Sequence, residues 1–309
     1  MSAKVENNPR KFLILSYNKT IEMKGKIVGC VLMVFFAVNT FAQNERAFVI
    51  YTAKGKKVSY KKLQKKAIEN QVVFFGEYHD NPIAHWLELE LLHDLFESHG
   101  AALKMGFEMF EQDQQMLLID YIDGKISDQQ FEDSCRLWPN YETDYKPLLL
   151  YAKQNRITSI ATNVPRKYAS LLFKRGRPAL DSLSAQEKSY IAPLDFPVDT
   201  TLSQYAPLKE MDQHMDGGHL LEAQALKDAT MAYFLAKNFN SGDYFYHING
   251  AYHSNYYQGI LWYLNREKPG TTVLTISTVT QENIGKLEKE YVGSADFIIC
   301  VPESMTRTH

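Results

Sequence analysis

The sequence has 309 residues, of which 45% are hydrophobic and 23% charged, as in an ordinary globular protein. A formal net charge of −2 provides no basic surface for nucleic acid, so no nucleic-acid partner is expected. The chain has three cysteines, too few for a disulfide framework or a cysteine metal site.

The N-terminal region has the pattern of an export signal. Residues 23–42 combine a short basic stretch, a nearly unbroken apolar run at 27–38 and small residues up to Ala42, which predicts a signal peptide cleaved after Ala42. Residues 1–22 are then interpreted as an extension from a misassigned start. Cys30 precedes most of the apolar run, whereas a lipid-modified cysteine follows one, so cleavage is favoured over lipidation. The expected location is periplasmic, or membrane-associated on the periplasmic side.

The mature chain, 43–309, is predicted to be a single α/β domain. Residues 48–60 have a hairpin pattern, and a repeated strand-then-helix order follows, which predicts a mostly parallel sheet flanked by helices. A late strand at 296–301 is expected at or near an edge. Between about 179 and 218, prolines interrupt short aromatic segments, which predicts a largely helical insertion or lid.

Polar side chains occur inside or directly after four predicted strands. The first strand, 72–75, is a continuous apolar run typical of a strand buried on both faces. Parallel strands with right-handed crossovers bring their carboxyl ends to one edge of a sheet, where ligands bind. The residues concerned are Glu77 with His79, Glu108, Asn163 with Arg166, and His253.

These residue types are compatible with three kinds of site. Glu77, His79, Glu108 and His253 together suit a divalent cation that activates water for hydrolysis. Tyrosine and histidine near an apolar insertion suit a haem, held non-covalently because the chain has no Cys-x-x-Cys-His motif. The third alternative is a periplasmic interaction protein whose polar residues are helix caps and hydrogen-bonding groups.

Five ordered motifs between about residues 65 and 265 carry a family resemblance. The sequence resembles the ChaN-like haem-binding proteins of the wider Tiki, TraB and erythromycin-esterase-like superfamily. The motifs lie at 76–82, 106–115, 163–166, 224–232 and 250–253.

The resemblance implies an exported protein of haem and iron acquisition that binds haem between α/β domains. It also implies tyrosine and histidine at the iron, a homodimer that stacks two haems, and an outer-membrane uptake receptor as partner. Residues 76–79 and Glu108 occupy positions where the wider superfamily has its proposed metal-hydrolase residues, so a metal-dependent hydrolase is the alternative function. The sequence departs from the lipoprotein pattern of the family, because Cys30 precedes most of the apolar run, and this departure argues against a lipid anchor.

We therefore predict a haem at the strand ends, covered by the insertion, with His79 or His253 near the iron or the propionates. Asn163 and Arg166 are predicted to hold propionates, because a guanidinium pairs bidentately with a carboxylate. Tyr205 is predicted to ligate iron, supported by His214 or His219. Tyr78 and Tyr252 adjoin the two histidines, but strand alternation would point neighbouring side chains apart.

Overall fold

The computed structural model describes residues 46–214 and 218–308. The described residues from Ala47 onward belong to one compact unit. The predicted extension and signal peptide fall outside the described residues, so they stay predictions. Among the helices of the described ranges, none is both long and apolar enough to cross a membrane.

An eight-stranded sheet forms the centre of this unit, and its strand order is β2-β1-β8-β7-β3-β6-β4-β5. The six strands from β8 to β5 are parallel, whereas the β1–β2 hairpin adds antiparallel to β8. The late strand that was predicted at or near an edge is β8, and it is the third strand from the edge because the hairpin covers it. The strands are β1 Val49–Thr52, β2 Lys57–Val58, β3 Val72–Glu77, β4 Leu103–Glu111, β5 Thr158–Asn163, β6 Tyr244–Gly250, β7 Val273–Gln281 and β8 Phe297–Pro302.

Helices cover both faces of the sheet, which confirms the predicted α/β class. Short 3-10 turns and a π-helical turn, Tyr141–Tyr145, connect several elements. The α-helices of the described ranges are α1 Tyr60–Ile68, α2 Pro82–His99, α3 Gln115–Ile122, α4 Asp128–Ser134, α5 Lys146–Asn155, α6 Arg166–Arg175, α7 Ala185–Lys188, α8 Ala206–His214, α9 Leu220–Asn238 and α10 Ile260–Glu267.

The alternation of side chains along β3 divides the core into two layers. Val73 and Phe75 pack with α2 and α5 on one face, whereas Val72 and Phe74 pack with α6, α9 and α10 on the other. All four side chains are buried, which explains why β3 is a continuous apolar run.

The sheet order places β6 between β3 and β4. Gly250, the last residue of β6, therefore pairs directly with Glu77, the last residue of β3. On its other side β6 pairs in parallel with β4, the strand that carries Glu108. Residues far apart in the chain thus meet at the carboxyl edge of the sheet.

In the segment predicted as an insertion, 179–218, only some of the described residues are helical. It contains the end of the 3-10 turn Arg177–Ser182, the short α7, and α8. Ile191, Phe196 and Tyr205 are buried in the second core layer, so this segment contributes to the packing against α9 and α10. Its function as a lid stays a prediction.

Candidate functional site

Glu77 is a buried carboxylate at the end of β3, and two neighbours hold one of its oxygens. Its Oε1 accepts hydrogen bonds from Nδ1 of His79, at 2.7 Å, and from the Tyr145 hydroxyl, at 2.6 Å. Burial alone would raise the pKa of Glu77, but the hydrogen bond from His79 and the neighbouring charge of His85 hold it well below its ordinary value. Glu77 is therefore an anionic anchor for His79.

His79 lies in the turn between β3 and α2, where the chain leaves the sheet. Asn81 caps α2 by accepting from the N–H groups of Ile83 and Ala84, and this fixes the turn. The His79 side chain is 39% exposed, and its ring packs edge-on against Trp138 at a centroid distance of 4.8 Å. Burial lowers the pKa of His79, but the hydrogen bond to Glu77 and the charge of Glu108 raise it overall.

Close approach at Gly250 sets the position of the His79 ring. A Cβ atom on Gly250 would lie 2.8 Å from Nε2 of His79, so only glycine leaves space for the imidazole there. Among the described residues, Nε2 has no hydrogen-bond partner. His79 thus has one ring nitrogen fixed on a carboxylate and the other open.

Glu108 is a buried carboxylate within β4, and both of its oxygens have partners. Its Oε2 accepts from the N–H of Gly250 at 2.7 Å, and its Oε1 lies 3.2 Å from Nε2 of His253. Burial would raise the pKa of Glu108, but the charge of His253 and the hydrogen bonds lower it to about 2. The costly burial of this carboxylate is therefore compensated inside the protein.

His253 lies between two carboxylates in the 3-10 turn after β6. Its Nε2 faces Glu108 and its Nδ1 forms a short hydrogen bond with Oδ1 of Asp228 on α9. Burial would lower the pKa of His253, but Glu108 and Asp228 raise it to about 10. His253 is thus a buried imidazolium with both nitrogens engaged, and it is less available as a ligand than His79.

Two cavities meet at His79 and His253. The first, about 630 Å³, is also lined by Tyr78, Gln224 and Tyr252. The second, about 530 Å³, is lined partly by Trp138, Val164, Ala169, Phe173, Leu220 and Ala223, with Arg166 and Lys227 as its cations. Within the described ranges, neither Arg166 nor Lys227 forms an ion pair or a hydrogen bond. Tyr78 and Tyr252 face the same cavity, because β3 ends at Glu77 and β6 at Gly250 and alternation no longer applies.

Asn163 and Arg166 both line the second cavity, and propionate binding by the two residues stays a prediction. Of the two, only the Arg166 side chain has no hydrogen-bond or ion-pair partner among the described residues. The Asn163 side chain donates to the carbonyl of Glu108 at 3.0 Å and accepts from the N–H of Val164 at 2.9 Å. Arg166 begins α6 and is exposed. The geometry therefore favours Asn163 as a residue that holds the strand ends together.

Tyr205 lies behind the site and lines neither cavity. Its side chain is 1% exposed, and its hydroxyl donates to Oδ2 of Asp228 at 2.7 Å. Iron ligation by Tyr205 stays a prediction that requires this hydroxyl to leave the core. His214 ends α8, and its side chain lies outside the described residues. His219 approaches Glu222 at 3.6 Å and does not line the two cavities.

The four residues predicted as a metal site form two pairs, His79 with Glu77 and His253 with Glu108. In the part of the chain that the structure describes, three ligand atoms of a different set lie within 4.8 Å of one another. This set is Glu77, His85 and Glu88. Both oxygens of Glu108 already have partners, so a metal ion at the four predicted residues would have to displace one of them. The four-residue site stays a prediction.

Comparison with known proteins assigns the chain to a family. A family model described as haem-binding uptake, Tiki superfamily, ChaN, matches residues 63–264, more than half of the chain. The chain belongs to this ChaN family. The match begins in α1 and ends in α10, so it includes every residue that lines the two cavities except Arg307.

A solved ChaN structure shows the same fold, and two other solved structures are similar to a lesser extent. A structure of ChaN of Campylobacter jejuni with cofacial haem has a TM-score of 0.62 at 16% identity, over 82% of this chain and 97% of that chain. A mutant of the erythromycin esterase EreC in its open conformation has a TM-score of 0.48 at 10% identity, over 83% and 98%. The type III effector HopBA1 has a TM-score of 0.44 at 13% identity, over 78% and 90%. No curated protein matches the chain.

Several site residues were missed by sequence reasoning. The structure adds Asp228 behind His253, Tyr145 on Glu77, and Trp138 against the His79 ring. Asp228 had a detectable sequence signal, because it is an isolated carboxylate on the apolar face of α9, within one of the family motifs. Trp138 and Tyr145 had none, since they come from the irregular region around the π-helical turn.

Proposed function

We propose that this protein binds haem non-covalently in the two cavities around His79, with Nε2 of His79 facing the iron. The observation that carries the proposal is the arrangement of this imidazole. Its Nδ1 is held 2.7 Å from the buried Glu77 carboxylate, and its Nε2 is open beside two cavities. A histidine that ligates a metal commonly donates its other ring N–H to a carboxylate, which fixes the ring and increases its basicity.

The lining of the cavities fits a flat amphipathic dianion. Each cavity has a volume within the range of about 300–1,000 Å³ that is common for ligand pockets. Apolar side chains such as Trp138 and Phe173 suit the porphyrin face, and the unpaired cations Arg166 and Lys227 suit the propionates. Bound haem would supply the redox and ligand chemistry of its iron, and the chain's own contribution is to hold and orient it.

The alternative function, a metal-dependent hydrolase, has less support from the geometry. His253 and Glu108 neutralise each other, and both nitrogens of His253 are engaged. A hydrolytic metal would require these contacts to break first. Stoichiometric metal that is lost in the Glu108→Ala variant would favour the hydrolase.

Haemin titration of the purified protein tests haem binding. We expect a saturable shift of the Soret band at micromolar haemin, and its weakening or loss in a His79→Ala variant. His93→Ala is the matched control, because His93 lies on α2 against Tyr151 and lines neither cavity. The absence of a saturable shift in the wild-type protein would contradict the proposal, and equal effects of both variants would move the ligand away from His79.

We further propose that the protein is exported and serves haem or iron acquisition, as a homodimer that interacts with an uptake receptor. The support is the signal-like pattern of residues 23–42 together with family membership. Cell fractionation with an antibody to the mature chain tests export, and light scattering before and after haemin addition tests dimer formation. Recovery of the uncleaved chain in the cytoplasm would contradict export.

A further inference from the structure

We propose that Glu77, His85 and Glu88 form a buried binding site for one divalent transition-metal ion, behind the haem cavities. The site shares Glu77 with the His79 anchor, but His85 and Glu88 line neither cavity. Both come from the first turns of α2, three residues apart, and therefore lie on the same face of that helix.

The three side chains converge on one point. Nδ1 of His85 lies 3.1 Å from Oε2 of Glu77 and 3.2 Å from Oε2 of Glu88. The side chains of Glu77 and Glu88 are completely buried, and that of His85 is 5% exposed. Two carboxylates and one imidazole thus meet in a part of the protein that excludes water.

Two oxygens in this cluster accept no hydrogen bond of good geometry. Both Oε2 of Glu77 and Oε1 of Glu88 are buried, and Oε2 of Glu77 has only the ion-pair contact with Nδ1 of His85, at 3.1 Å. A buried carboxylate oxygen without a partner is costly, and native proteins rarely retain one without a compensating group. A cation between the two carboxylates would satisfy both oxygens and reduce the repulsion between them.

The surroundings of His85 orient its ring for metal binding. Its Nε2 lies 3.1 Å from the carbonyl oxygen of His79 and 3.3 Å from Oδ2 of Asp144. Asp144 is fixed in turn by hydrogen bonds from Asn140 and Thr308. An N–H on Nε2 therefore has two acceptors, and Nδ1 remains directed at the carboxylates, as in carboxylate–histidine–metal arrangements.

The ligand set selects the class of ion. One imidazole nitrogen with two carboxylate oxygens suits Zn²⁺, Mn²⁺ or Fe²⁺, whereas Ca²⁺ and Mg²⁺ prefer sites built of oxygen alone. Such an ion would fix Glu77, and through Glu77 the orientation of His79. The proposal does not depend on haem binding, because two of the three ligands, His85 and Glu88, line neither cavity and the ion would bind behind Glu77.

Metal analysis of the full chain, purified without chelator, tests the site. We expect one transition-metal ion per chain in the wild-type protein and in a Glu90→Gln control on the same helix, and none in Glu88→Gln. Co²⁺ added to chelator-treated protein should produce visible absorption bands of a nitrogen- and oxygen-ligated ion, and Glu88→Gln should abolish them. Haemin titration of the same samples separates a failure of this site from a failure of the haem proposal.

A second measurement covers the case in which Glu88→Gln fails to fold. Zn²⁺ or Mn²⁺ added to chelator-treated wild-type protein should raise its unfolding temperature, because an ion that binds only the folded state stabilises it. Three outcomes would overturn the proposal. Equal retention of metal in Glu88→Gln would indicate adventitious binding, and a wild-type protein that neither contains metal nor responds to it would exclude the site. A Glu88→Gln variant that is as stable as the metal-free wild type, with no metal bound to either, would indicate a proton shared by the two carboxyl groups.

Discussion

Oε1 of Glu108 lies 3.2 Å from Nε2 of His253, and both side chains are buried. This pair joins β4 to the turn after β6, and both residues line the second cavity. Since the second oxygen of Glu108 accepts from the N–H of Gly250, the carboxylate holds the end of β6 at two points. The shape of the candidate site therefore depends on a charge pair that the sequence places 145 residues apart.

Replacing Glu108 with glutamine should destabilise the protein strongly. The variant leaves the imidazolium of His253 with Asp228 as its remaining anionic partner, and breaking a buried pair in this way costs about 3–5 kcal/mol. Glu111→Gln is the control, since Glu111 pairs with the exposed Arg136 and should cost about 0–1 kcal/mol. Urea unfolding measures both. A loss below that of the control would show that the Glu108–His253 pair contributes little.

The same pair predicts how stability depends on pH. The pKa of Glu108 falls from 4.5 to about 2 on folding, so its contribution is complete above pH 4.5 and is lost as the pH falls towards 2. The pKa of His253 rises from 6.5 to about 10, so its contribution is complete below pH 6.5 and is lost as the pH rises through 10. The joint contribution should be largest between pH 4.5 and 6.5. The difference in unfolding free energy between wild type and His253→Gln, measured from pH 3 to pH 10, should follow this window, and a constant difference would contradict it.

Replacing Tyr205 with phenylalanine separates two functions for this residue. The Tyr205 hydroxyl is a buried hydrogen-bond donor to Asp228. Its removal should lower the free energy of unfolding by about 1–3 kcal/mol, because one carboxylate oxygen loses its partner. The ferric haem spectrum should stay unchanged. A loss of a high-spin phenolate spectrum in this variant would instead support the predicted iron ligation by Tyr205.

Replacing Gly250 with alanine should impair haem binding more than folding. Gly250 has a φ of −57°, which alanine adopts readily, so the effect is steric. The new Cβ would lie 2.8 Å from Nε2 of His79 and would push the imidazole off its position beside Glu77. Haemin affinity and the unfolding temperature should be measured together. Unchanged affinity in a folded variant would argue against His79 as the residue that faces the iron.

Replacing Arg166 with glutamine should weaken haemin binding by about twofold to fivefold, as expected for an exposed ion pair worth up to about 1 kcal/mol. Arg175→Gln is the matched control, because Arg175 is exposed at the other end of α6 and does not line the cavities. Added salt should reduce the difference between Arg166→Gln and the wild type. Equal affinity of the two variants at low salt would show that Arg166 does not bind the propionates.

The sequence alone determined the strand-and-helix order and the polar strand ends. Val72 to Phe75 indicate a strand buried on both faces, and periodicity is a local property that the chain itself records. Glu77, Glu108 and His253 were identifiable because a carboxylate or imidazole beside an apolar run requires a partner. The motifs around them were also sufficient to indicate the ChaN family, which the match over residues 63–264 confirms.

Only the tertiary structure decided which of these residues are partners. The strand order places β6 between β3 and β4, and no local pattern records that order, because it follows from the packing of both core layers. The resulting contacts pair His79 with Glu77 and His253 with Glu108. Packing of the second core layer places Tyr205 behind Asp228. In the sequence, His85 and Glu88 are polar positions within a helical pattern that gives no sign of a partner. Their meeting with Glu77 depends on the angle at which α2 leaves the sheet, and that angle is set by contacts distant in the chain.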